Sequence, residues 1–199
     1  MLQTIRETPA PLSETEDGLA LVREHLDKAL RIGMVRGVVI FVGHAAPWSE
    51  PEGLLADLAR ACIAQDILVV AADRAVRALD AAGLFADTGL EAAGSGLVEF
   101  CTLCDLPPVV ACPGRDLGPV LALCARLAET FGVTADRLPM TVCGQDKPGP
   151  GAAGLVVLST PLSLAETDPV AAADLFSRHI TASRLALGLN DRFDGSVYS

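Results

Sequence analysis

Histidine, cysteine, aspartate and arginine recur in this sequence at a few places, each beside a run of apolar residues. His44 follows Val38-Val39-Ile40-Phe41-Val42-Gly43, and Asp73 and Arg74 follow Ile67-Leu68-Val69-Val70-Ala71-Ala72. Cys112 closes a third run and leads into Pro113-Gly114-Arg115; Cys143 closes a fourth and leads into Gly144. Two thiolates and an imidazole are adequate ligands for zinc or an iron–sulfur cluster, with Asp73 or an exogenous ligand completing the set. His44, Cys112 and Cys143 are therefore candidate metal ligands, each weighed against packing as a buried cysteine or a loop histidine. Asp73, Arg74 and Arg115 form a candidate ligand-binding set, because guanidinium groups take carboxylate or phosphate bidentately. The alternative is that Arg74 and Arg115 pair with Asp73 and Asp116 at the surface.

Cys101 and Cys104 are a C-x2-C pair. Three residues apart on a helix, the thiols share a face, which makes them further candidates for a metal or redox role. The surrounding GSGLVEFCTLCDLPP reads as a helix running into a proline-bounded turn, and no second pair completes a zinc knuckle. Cys62 and Cys124 lie in amphipathic stretches and read as core. Gly149-Pro150-Gly151-Ala152-Ala153-Gly154 matches G-x-G-x-x-G literally, but it runs into strand-like Leu155-Val156-Val157-Leu158. A dinucleotide fingerprint opens a helix, so the match carries nothing.

The elements that must position these residues alternate regularly. Leu19, Val22, Leu26, Ala29 and Leu30 recur at helical spacing, with Gly33 as a stop. Strands are expected at 36–43, 66–72, 108–112, 139–143 and 154–158, and helices at 51–64, 74–83, 94–104, 117–131 and from about Pro169 to Leu187. Asp168-Pro169 suits the start of that last helix, with aspartate as cap and proline preformed for the first turn. Strands that are apolar throughout belong to a parallel sheet covered on both faces. The expected fold is α/β, a three-layer sandwich with a mostly parallel, doubly wound, Rossmann-like sheet. Ligands in such sheets bind beyond the carboxyl ends of the strands, where the candidate residues stand. One domain is expected at 17–190, with a flexible lead-in at 1–16 and a tail at 191–199.

Composition narrows the function classes. The 199 residues carry 15 basic and 25 acidic side chains, a formal charge of −10 with no basic patch, which argues against nucleic acid and anionic membranes as partners. No apolar run approaches the roughly 20 residues of a membrane span. The amino terminus, MLQTIRETPAPLSETEDG, has neither a basic start nor an apolar core, and a cytoplasmic location is expected. In a reducing compartment the six cysteines are not a disulfide framework.

Taken together, these segments resemble the carboxyl-terminal α/β domain of nickel-iron-sulfur carbon monoxide dehydrogenases, and more distantly the hybrid-cluster proteins. The resemblance runs from about Leu26 to Leu189. Residues 34–46, MVRGVVIFVGHAA, look like the family segment in which glycine precedes a cysteine and two asparagines; His44 stands at that cysteine. DILVVAADRAVRALDAAGLF resembles the strand and helix carrying a glycine-cysteine pair, with Asp73 and Arg74 at those positions. GLVEFCTLCDLPPVVACPGRDLGPVLALCARLAETFGVTADRLP continues without a gap, and Arg115 takes the place of the cysteine in a glycine-serine-cysteine motif. DPVAAADLFSRHITASRLALGL matches the closing helix. GQDKPGPGAAG replaces a segment that brings a further cluster ligand, Cys101 aligns with a helical cysteine of no cluster role, and Cys112 and Cys143 fall outside the aligned ligand positions.

The resemblance implies the scaffold without the full ligand set of the nickel-iron-sulfur cluster, and hence not a complete carbon monoxide dehydrogenase. The function expected from it is a non-catalytic accessory module whose partner is an anaerobic metalloenzyme. Two alternatives stand beside it. One is a protein for electron transfer or metal delivery that binds an iron–sulfur cluster or another metal through a rearranged set drawn from His44, Cys101, Cys104, Cys112 and Cys143. The other is a domain binding a small anionic ligand. A homo-oligomer is compatible with all three.

Overall fold

A computed structural model describes residues 16–43, 53–112, 118–143 and 168–189. The first helix, α1 (Glu16–Ile32), begins three residues before the apolar periodicity does, and Leu19, Val22, Leu26, Ala29 and Leu30 form its buried face. Next come β1 (Gly37–Gly43), α2 (Leu54–Ile63), β2 (Ile67–Asp73) and α3 (Arg74–Ala81). A short α4 (Asp87–Leu90) and α5 (Ser95–Cys104) lead to β3 (Val109–Ala111), then α6 (Gly118–Phe131), a 3-10 turn (Ala135–Arg137), β4 (Met140–Cys143) and α7 (Pro169–Ala186). As expected, the Asp168 side chain accepts a hydrogen bond from the Val170 N–H at 3.1 Å and Pro169 opens α7. The expected strand at 154–158 and the two ends of the chain lie outside the described residues.

The four described strands form one sheet in the order β3-β2-β1-β4, and every pairing is parallel. Ile67 to Ala72 are buried without alternation, because helices cover both sides. The helices α2, α3 and α7 pack as one group and α1 and α6 as another. The chain steps from β1 to β2 to β3 in one direction, then crosses to β4 on the far side of β1. That reversal puts the topological switch point between β1 and β4. No described helix is long and apolar enough to cross a membrane.

The amino-terminal ends of the strands are tied together by polar contacts. Arg184 of α7 is fully buried and donates from Nη1 to the carbonyls of Val35 at 3.2 Å and Arg36 at 2.9 Å. Arg36 donates to Thr181 Oγ1 at 2.8 Å and Ser177 Oγ at 3.3 Å, while its backbone N–H bonds the Asp66 carbonyl at 2.8 Å. Asp66 Oδ1 accepts from the Leu97 N–H at 2.8 Å and so caps α5 from 31 residues away. Gly37 is required where α7 crosses the start of β1: an added Cβ would lie 2.5 Å from the Pro139 carbonyl oxygen and 2.7 Å from Ile180.

Candidate site at the carboxyl edge of the sheet

Parallel strands bring their carboxyl ends to one edge, and this edge carries Gly43, Asp73, Ala111-Cys112 and Cys143. Gly43 and Asp73 are partners in the β1–β2 register, and Cys143 stands opposite Phe41 on β4. The expectation that the candidates cluster at strand ends thus holds for Asp73, Cys112 and Cys143 as positions in the chain. His44 and Arg115 lie outside the described residues.

The strand order, which apolar runs cannot reveal, separates the two thiols. Cys112 leaves β3 and Cys143 ends β4, the two outer described strands, with β2 and β1 between them. Three steps of ~4.8 Å put their backbones ~14 Å apart, too far for one mononuclear centre with metal–sulfur bonds of ~2.3 Å. Cys112 continues the ladder, its N–H bonding the Ala71 carbonyl at 2.7 Å, and is 2% exposed. Cys143 is buried, and burial pushes its thiol up to about 12.

The C-x2-C pair sits elsewhere. Cys101 and Cys104 end α5, just before β3 begins, so they belong to the amino edge of the sheet. Burial, with Cys104 nearby, raises Cys101 to about 12; burial also raises the half-buried Cys104 thiol. Cys62 and Cys124 are core, as expected: burial raises both, Cys124 to about 12, and Cys124 lies 4.0 Å from the Met140 sulfur. These thiols are protonated at neutral pH, none of the six is in a disulfide, and no group of three or more His, Cys, Asp or Glu among the described residues could hold a metal ion. The described donors therefore do not fit a nickel-iron-sulfur cluster on their own.

Asp73 is the most distinctive residue of the edge. It turns the chain from β2 into α3 at φ 55° and ψ −121°, a conformation that disfavours any side chain. Small residues flank it, Ala71 and Ala75, both fully buried, which lets strand and helix close tightly around the turn. Its neighbour Arg74 is exposed at the first position of α3. The sequence marks Asp73 as a strand-end acid but gives no sign of its backbone strain.

No family model matches the chain. A carbon monoxide dehydrogenase of Methanosarcina mazei is 26% identical over 226 aligned positions, covering 96% of this chain and 33% of the relative. The carbon monoxide dehydrogenase of Archaeoglobus fulgidus is 30% identical over 118 positions, covering 57% of this chain and 19% of the relative. A nickel-free crystal structure of carbon monoxide dehydrogenase from Thermococcus sp. AM4 superposes with a TM-score of 0.71 at 24% identity, over 84% of this chain and 32% of that one. In fold and sequence, this is a carbon monoxide dehydrogenase-like domain. The carbon monoxide dehydrogenase-like domain spans about a third or less of the length of the curated relatives it matches. With the enzymes it shares the parallel sheet flanked by helices.

Proposed function

We propose that this domain is a non-catalytic accessory or partner module of an anaerobic metalloenzyme system, built on a carbon monoxide dehydrogenase scaffold. The observation that carries the reading is the placement of the described thiols. Cys112 and Cys143 leave the two outer described strands, on opposite sides of the sheet, Cys101 and Cys104 belong to the other edge, and burial keeps those with raised pKa values protonated. Cluster chemistry needs several thiolates converging in one pocket. A scaffold without that convergence retains what a partner can recognise, its shape and surface.

A second reading is a metal or iron–sulfur protein with a rearranged ligand set. It is favoured by Cys143, which ends β4 beside β1 at the switch point, while His44 directly follows β1 in sequence. One experiment separates the two. The full chain, affinity-purified under strict anaerobiosis from cells making it at native level, is assayed for iron, nickel, zinc and acid-labile sulfide and for bound proteins. Metal-free protein in stoichiometric complex with a metalloenzyme is the expected result. Stoichiometric iron and sulfide, lost on replacing His44 and Cys143, overturns the accessory reading in favour of the second.

A further inference from the structure

The helices α1 and α6 pack together and leave a groove of ≈ 550 Å³ lined by Ala20, Leu21, Arg23, Glu24 and Arg126. Arg31, about two turns beyond Arg23, fastens the two helices: its guanidinium donates to the Thr130 carbonyl at 3.4 Å and lies 4.6 Å from the centre of the Phe131 ring. Arg23 and Arg126 have no such task. Both are exposed, and among the described residues neither guanidinium makes a hydrogen bond or an ion pair, although Glu24 lines the same groove and Glu129 stands three positions after Arg126. Acidic side chains outnumber basic ones by 25 to 15, so a shortage of carboxylates does not account for two unpaired cations on one groove.

We propose that this groove binds a small phosphorylated molecule, its phosphate taken by Arg23 and Arg126 together. The planar fork of a guanidinium matches phosphate oxygens two at a time, and two forks on one dianion remove the repulsion between the cations. Glu24, an acceptor beside them, receives an ammonium or hydroxyl group of the same ligand. The volume lies within the ~300–1,000 Å³ of small-molecule sites. The short side chain of Ala20 keeps the groove open beside Arg23 and Glu24. The site stands apart from the strand-end residues and does not depend on the accessory reading. Its affinity is modest, because both guanidinium groups stay in contact with water and the whole chain carries a charge of −10.

Titration of the full chain with O-phosphoethanolamine or inorganic phosphate, followed by heteronuclear NMR at constant ionic strength, tests this. Saturable shifts are expected at the Nε–H signals of Arg23 and Arg126 and at the backbone amides of residues 20–24, with phosphoethanolamine the tighter of the two. Arg23→Gln and Arg126→Gln, at exposed positions whose melting temperature serves as the folding control, should each raise the dissociation constant about tenfold. Arg137→Gln, exposed on a different groove, should leave it unchanged. Glu24→Gln should weaken phosphoethanolamine and not inorganic phosphate. Shifts that never saturate and spread over all exposed arginines overturn the proposal, as do dissociation constants indifferent to both arginine replacements; equal affinity for the two probes overturns the role given to Glu24.

Discussion

Asp73 holds a backbone conformation that glycine adopts freely, so its strain is separable from its side chain. Replacing it with glycine is expected to raise stability by about 1 kcal/mol, whereas alanine, which keeps the strain, brings no such gain. Urea unfolding of the two variants checks this, and equal stabilities would show that φ 55° is not costly here. The thiols yield a pH dependence. Folding raises Cys101, Cys124 and Cys143 from 9.0 to about 12, so the folded state prefers the protonated form. Their contribution is complete below pH 9, where the unfolded thiols are also protonated, and is lost as pH climbs from about 9 to about 12. Stability should fall across that window, and Cys143→Ala should reduce the slope by up to about 1.4 kcal/mol per pH unit. The residue types at the sheet edge were legible because acids and thiols interrupt apolar runs. Their mutual distances were not, because strand order depends on which face each crossover takes.

At the scale of elements, α5 depends on a cap that lies in another segment. Asp66→Ala removes the acceptor of the Leu97 N–H and should cost about 1 kcal/mol, with faster hydrogen exchange at Leu97. Asp66→Asn keeps an acceptor and a residue tolerant of φ 58°, and should cost less. The fixing of α7 is stronger. Arg184→Met leaves the carbonyls of Val35 and Arg36 without that donor inside the fold and should destabilise by about 2–3 kcal/mol in chemical unfolding. The described strands and long helices were readable within one to three residues, since continuous apolar runs and helical periodicity are strong local signals. The four-residue α4 and the 3-10 turn were not, being too short to show a period. Nor was Asp66 as a cap, because its helix begins 29 positions later. Nor was the burial of Arg184, which has the largest fully buried side chain among the described residues, since a charged residue near a helix end gives no local sign of it.

At the scale of the whole molecule, the long-range polar contacts of Arg36, Asp66 and Arg184 tie the amino edge of the sheet, while the candidate site occupies the opposite edge. Gly37→Ala tests how tightly that base is packed: the added methyl has no room against Pro139 and Ile180. A loss of about 1–3 kcal/mol is expected, seen as a drop of several degrees in melting temperature. The polar tie between α7 and the lead-in to β1 also sets an order of events during synthesis. Arg184 reaches the Arg36 carbonyl across 148 residues of sequence. At ~5–20 residues added per second, the start of β1 waits on the order of 7–30 s for the arginine that fastens it. Throughout that interval the underside of β1 is a young apolar surface without its cover, and a chaperone that meets this chain has its occasion then.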